Sequence, residues 1–219
     1  YPKTMGDAVW SMYDYNRGCC DNICYSGVAD IFRLPKFSLS FFRTQIAEGS
    51  MLPSGKMPYE VFIPAYRDEI LSDTVMVYGN VDEVELVLNG KTIRRQTADK
   101  GPDSDYIPVP NGGNGKNLHF PPFTFYGVPK ERGVLKAVGY HQGKKVAEYT
   151  VKTPGVPERL DITYFESGKP ATKNDLLIVY VRMLDKQGVL CPVNGIPVEL
   201  SVQGGEIVGP TSYPLEAGV

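Results

Sequence analysis

The spacing of apolar side chains changes along this chain, and each change marks a different kind of element. Residues 6–14 carry the apolar run Ala8-Val9-Trp10 and close on the polar Asp14. That pattern predicts a strand buried on both faces. Residues 34–45 then place Leu39 and Phe42 on one helical face with Ile46, behind Pro35, a residue suited to a first helical position. Strand, loop and helix make one βα unit, which cannot close a core by itself. Residues 48–58, rich in Gly, Ser and Pro, read as a connection.

From Thr74 the period becomes two. Residues 75–78 are followed by 84–88, with Val84, Leu86 and Leu88 on one face, and Asn89-Gly90 supplies a type I′ hairpin turn. Residues 99–115 form a long polar loop rich in Gly and Pro, after which 123–125, 135–140 and 146–151 complete a set of short strands. Short strands joined by turn residues predict a sandwich of roughly immunoglobulin (Ig) size. The cluster Thr153-Pro154-Gly155-Val156-Pro157 reads as a linker. Beyond it Leu160, Ile162 and Tyr164 alternate, then Leu177, Val179, Val181 and Met183, then Ile196, Val198, Leu200 and Val202, with Gly204-Gly205 turning into 206–208. Four or five strands are fewer than the roughly seven of a complete sandwich, so a truncated second module is expected.

Composition sharpens this. Tyr at 14 and Pro at 18 of 219 residues favour strands joined by stiff turns. A net charge of −2, with basic residues dispersed, excludes the footprint of a nucleic-acid binder or a polybasic membrane anchor. No apolar stretch is long enough to span a bilayer, and residues 1–4 lack a signal-peptide pattern. Cys19, Cys20 and Cys24 crowd one loop while Cys191 lies far off, and neither His119 nor His141 is near in sequence. Paired ligand spacing is absent, so structural or reactive thiols outweigh a zinc site. Asp99, Asp103 and Asp105 lack the glycine and spacing of an EF-hand and read as a solvated acidic loop rather than a calcium site. The histidines have no nucleophile elbow nearby, which leaves a serine hydrolase unsupported. No metal and no cofactor is expected.

Several of these segments together resemble glycoside hydrolase family 2, which includes bacterial β-galactosidases and β-glucuronidases. Residues 6–14, Gly27-Val28-Ala29-Asp30 and Arg33-Leu34-Pro35-Lys36 onward to Gln45 are similar to the end of that family's catalytic barrel, strand eight and its helix. Residues 77–91, 120–125 and 133–140 resemble the Ig-like module that follows, and Gly204-Gly205-Glu206-Ile207-Val208-Gly209 resembles the terminal Ig-like domain. The resemblance implies a mainly β chain: a TIM-barrel βα remnant over 1–50, an Ig-like β-sandwich over 60–153, and a second, truncated one over 157–219. It implies retaining hydrolysis of O-glycosyl bonds by two glutamates on barrel strands four and seven. Retention needs both carboxylates about 5 Å apart, and no glutamate here matches either position, so no catalytic residue is assigned to this chain.

The resemblance leaves the barrel rim. Alone, Trp10 reads as a core residue; by resemblance it lines the sugar subsite, where an indole face packs against sugar C–H groups. Asp14 would either bond a sugar hydroxyl or cap the loop. The implied partners are a glycan substrate bound by the intact enzyme and the rest of the catalytic barrel, with contacts to a second copy left open for the Ig-like modules. These modules would brace the barrel; the rival is a carbohydrate-binding accessory region. The family implies a periplasmic or extracellular bacterial location.

Overall fold

The computed structural model describes residues 8–16, 18, 23–65, 73–99, 118–164 and 176–219. They fall into two compact units, one drawn from 1–64, 72–129 and 135–150, the other from 65–71, 130–134 and 151–219. The chain is mainly β, with one helix and fifteen short strands among the described residues.

The first unit is built on a sandwich. One sheet has the order β5 (Val61–Phe62), β6 (Val75–Gly79), β9 (Phe123–Phe125); the other runs β11 (Lys144–Lys152), β10 (Val134–His141), β7 (Glu83–Leu88), β8 (Lys91–Thr97). Alternation makes this possible: Val84, Leu86 and Leu88 point inward from β7, opposite Gly139, Ala137 and Leu135 of β10. Val77, Val84, Leu86, Phe123, Phe125, Leu135 and Ala137 are wholly buried. Each such large apolar side chain contributes roughly 1.5–3 kcal/mol by leaving water. The layers close tightly around Val61. A Cβ on Gly139 would stand 2.7 Å from its Cγ1, and one on Gly79 would stand 2.9 Å from the same atom. The β7–β8 hairpin turns at Asn89 and Gly90, with φ of 51° and 80°, the positive pair a type I′ turn requires. The outward face of the second sheet is polar and paired. Thr92 and Tyr140 each donate to the Glu85 carboxylate at 2.6 Å, and the Arg95 guanidinium lies 3.7 Å over the Tyr140 ring.

Ahead of the sandwich, helix α1 (Phe37–Thr44) is apolar on two opposite sides. Phe37, Phe41 and the buried Thr44 share one side, and the two rings meet Phe62 and Tyr78 of the sandwich edge-on at 5.6 and 5.0 Å. Leu39 and Phe42, on the helical face picked out by the sequence, stay partly exposed. The helix begins two residues after Pro35, because the Lys36 amide donates to Val28 O at 3.1 Å and keeps that stretch extended. Residues 8–14 are not buried on both faces. Val9, Trp10 and Met12 are 62%, 75% and 64% exposed, and among the described residues the backbone bonds of 11–14 run to residues 26–29. Within the expected connection, β3 (Met51–Leu52) and β4 (Gly55–Lys56) form a small hairpin.

One buried side chain joins these pieces. Asn80 Oδ1 accepts from the Glu60 amide at 2.6 Å, while its Nδ2 donates to Ile46 O and Pro58 O, each at 3.0 Å. The donors and acceptors around it fix which end of the amide is which.

The second unit holds two antiparallel ribbons, β12 (Pro157–Tyr164) with β13 (Val179–Asp185), and β14 (Pro197–Glu199) with β15 (Ser212–Pro214). The expected long strand 196–202 pairs only over three residues, and its partner is 212–214, not 206–208. Pro197 faces Pro214 at one end, and toward the other only the Leu200 amide still bonds, to Thr211 O. Asp185, buried, is this unit's anchor. Its carboxylate accepts from the amides of Gly155 at 2.6 Å and of Gln187 and Val189 at 2.8 Å.

Two outcomes follow from these anchors. Asn80→Asp sets a carboxylate oxygen against two buried carbonyls, so it should destabilise the first unit by about 3 kcal/mol at neutral pH, less in acid where the new group protonates. A denaturant midpoint unchanged at neutral pH would remove Asn80 from this role. For Asp185, the backbone donors, Gly155 foremost, hold its carboxyl below the ordinary 3.8 against the opposing effect of burial. A depressed native value means the stabilisation is intact above the ordinary carboxylate range and is lost as pH falls through the lower, native value. Amide exchange at Gly155 and Val189 should therefore open up on acidification below about pH 4 in the natural chain, with a flatter pH response in Asp185→Asn.

Candidate functional site

Residues 8–36 form a braced rim. The turn before α1 is set by Asp30, whose Oδ1 accepts from the amides of Phe32 at 2.8 Å and Leu34 at 2.7 Å. Arg33 takes φ of 73° inside that turn and lays its guanidinium 4.8 Å over the Tyr13 ring. Tyr13 and Ala29 bridge in parallel, with the Ala29 amide bonded to Met12 O at 3.0 Å and Asp14 N to Ala29 O at 3.1 Å.

Asp14 is 5% exposed and turned into the loop. Its Oδ1 accepts from the Gly27 amide at 2.8 Å and from Lys36 Nζ at 2.6 Å, and the same ammonium reaches Tyr25 O at 3.1 Å. A charge-assisted bond at that length between a buried acid and a half-buried lysine is among the stronger interactions a loop can hold. Gly27 is confined as well: a Cβ there would lie 2.3 Å from Asp14 N and 2.4 Å from Ala29 O. No side chain fits.

Trp10 is 75% exposed. Its Nε1 donates to Tyr15 Oη at 2.8 Å, and the two rings stand edge to face, 6.1 Å apart at 78°. Tyr15 belongs to β1 (Tyr15–Asn16), which pairs with β2 (Ile23–Cys24) through Tyr15 and Cys24. Trp10 and Asp14 thus lie on one short segment with different fates, the indole outward and the carboxylate inward.

The remaining candidates are dispersed. Asp99 accepts from the Thr124 amide and hydroxyl at 3.2 and 2.5 Å, while Asp103 and Asp105 lie outside the described residues. Cys24 meets Ser26 Oγ at 3.4 Å, Cys191 is buried with its thiol pushed up by that burial, and Cys19 and Cys20 lie outside the described residues. His119 packs against Phe120, and His141 stacks on Tyr59 while bonding Asp82. Among the described residues no three His, Cys, Asp or Glu side chains gather as metal ligands, and no helix is long and apolar enough to cross a membrane. Gly27, Lys36 and Tyr15 were not singled out from the sequence as site residues. The first two stand inside the motif stretches, but their partners are 13 and 22 residues away.

In the first unit an extended rim segment and a helix precede a β-sandwich, and comparison with known proteins gives that arrangement a context. Residues 72–147 match a family described as a domain of unknown function, DUF4982. A β-galactosidase of Thermoanaerobacter pseudethanolicus is 33% identical over 99% of this chain, and β-galactosidase BoGH2A of Bacteroides ovatus is 29% identical over 93%. The chain spans 29% and 22% of the lengths of these relatives. A family 2 β-glucuronidase structure superposes with a TM-score of 0.68 at 22% identity, covering 90% of this chain and 19% of that one. A family 2 member from Bacteroides cellulosilyticus gives 0.65 at 19% identity, covering 95% and 29%. The chain is similar to a C-terminal part of glycoside hydrolase family 2 members.

The rim makes a prediction about Gly27. Gly27→Ala must push backbone apart, so it should cost the 8–36 segment about 2 kcal/mol or more while the sandwich stays folded. Trp10 is the sole tryptophan, so its fluorescence should lose its transition at lower denaturant than far-UV dichroism does. Coincident, unshifted transitions would contradict it.

Proposed function

We propose that this chain serves a retaining, β-galactosidase-like glycosidase as the rim of its sugar subsite and the brace of its barrel. Two glutamates carry the bond cleavage in this reading, an acid/base and a nucleophile about 5 Å apart, both supplied by barrel residues outside this chain. The barrel remnant takes 1–50, one Ig-like sandwich 60–153, and a second, incomplete one 157–219. The substrate is a glycan held by the whole enzyme, and nucleic acid has no part. The location proposed is periplasmic or extracellular in a bacterium, with Ig-like modules that also offer contacts to a second copy.

The observation that carries this reading is the placement of Trp10: its indole projects from the segment that Asp14, Gly27 and Lys36 lock, in the stretch that resembles the end of barrel strand eight. An indole held there offers its face to the C–H groups of a sugar. Asp14 takes the loop-bracing role of the two open to it: its Oδ1 is committed to Gly27 and Lys36, and it supports the subsite by fixing the segment that bears Trp10. Bracing is favoured over independent glycan binding by the middle module because one face of Tyr140 is already covered by Arg95.

In the full-length enzyme, Trp10→Ala should lower kcat/KM about a hundredfold, or 2–3 kcal/mol, with part of the loss in kcat. Contacts that strengthen as the sugar ring flattens act on the transition state more than on the ground state. A folded Trp10→Ala enzyme with normal kcat/KM would return Trp10 to a packing role.

A further inference from the structure

An exposed indole is a poor platform if it turns freely. Surface side chains change rotamer in picoseconds to nanoseconds, and immobilising one on binding costs free energy. Trp10 is not free to turn. Its single N–H donor is committed to Tyr15 Oη at 2.8 Å, and the Tyr15 ring stands at 78° to the indole. Direction and plane are therefore both restrained, and the restraint acts at the N–H edge of the indole. Tyr15 is itself fixed by the β1–β2 ribbon, where it pairs with Cys24. The residues between the two include Asp14, whose bonds to Gly27 and Lys36 hold the turn that brings Tyr15 back toward Trp10.

We infer that Tyr15 is a positioning residue: it pre-orients the Trp10 indole for stacking on the substrate sugar by accepting its N–H. The inference rests on the reading of Trp10 as the sugar platform. Tyr15 touches no substrate in it; the residue acts through Trp10, so its contribution to turnover vanishes when the indole is gone.

The test uses Tyr15→Phe, which keeps the ring and removes the acceptor. In the 219-residue chain Trp10 is the only tryptophan, so selectively excited fluorescence reports that ring alone. The amplitude of fast local rotation in its anisotropy decay should about double in Tyr15→Phe, with far-UV dichroism unchanged. In the full-length enzyme Tyr15→Phe should lower kcat/KM by about fivefold to tenfold when Trp10 is present, and by less than about twofold in the Trp10→Ala background. Equal losses in both backgrounds, no loss in either, or an unchanged anisotropy decay would each overturn the positioning role while leaving the platform reading intact. A Trp10→Ala enzyme with normal kcat/KM is the distinct outcome that overturns the platform reading, and this inference with it.

Discussion

The first unit depends on a single buried amide. Asn80 satisfies three backbone groups that no sheet or helix ladder reaches: the Glu60 N–H, and the carbonyls of Ile46 just past α1 and Pro58 in the connection. Leaving any one of them dry and unpaired would cost more than the net gain of an ordinary hydrogen bond. The amide therefore does what packing cannot, since packing is non-directional. It fixes where the helix ends relative to the strand that Asn80 follows. Around it Arg43 pairs with Glu60, and Gln45 exchanges two bonds with the Phe120 backbone. The aromatic contacts of Phe37 and Phe41 then supply apolar burial along a line already drawn by polar groups.

Much of this fold was legible because its signals are local. Alternation at 84, 86 and 88 and the Asn89-Gly90 pair define a hairpin within a few residues of sequence, and the backbone there takes the expected positive φ values. Strand β8 was not legible from alternation: Lys-Thr-Ile-Arg-Arg-Gln-Thr carries one aliphatic side chain and is fixed by pairing to β7. The second positive-φ pair, Gln142 and Gly143 between β10 and β11, was hidden because glutamine carries no turn signature. The helix is legible as an element but not in its orientation. A helix apolar on two sides shows its period twice, and sequence alone does not say which side a neighbour covers. In the second unit, Glu206-Ile207-Val208 has strand-forming residues, yet the chain pairs at 212–214 because register is a tertiary property.

The rim was legible in part, and the division is instructive. The family motif stretches include the residues that shape the loop. Gly27 has room for no Cβ, Asp30 turns the chain, and Lys36 reaches back to Asp14. Their physical jobs could not be read in advance, because each is a contact across the loop rather than a pattern along it. Tyr15 is the sharper case. A tyrosine in a two-residue strand is unremarkable by composition, and only the placement of its oxygen beside the Trp10 nitrogen gives it a role.

These observations give bracing a physical meaning on the reading proposed here. A sugar platform must hold its plane against a ligand that gains little from any single contact, so looseness anywhere in its support is subtracted from binding. Trp10 leans on Tyr15, Tyr15 on the β1–β2 ribbon, and the ribbon on Asp14 through the residues it holds. Lys36, the cation that closes the rim, is also the N-cap position of α1. Phe37 follows it directly and packs on Phe62, while Asn80 holds the carbonyl just past the far end of that helix. Each step is a named contact within one unit. On that reading the sandwich need not touch a sugar to matter for cleavage. It fixes the helix, the helix fixes the lysine, and the lysine fixes the loop from which the indole projects.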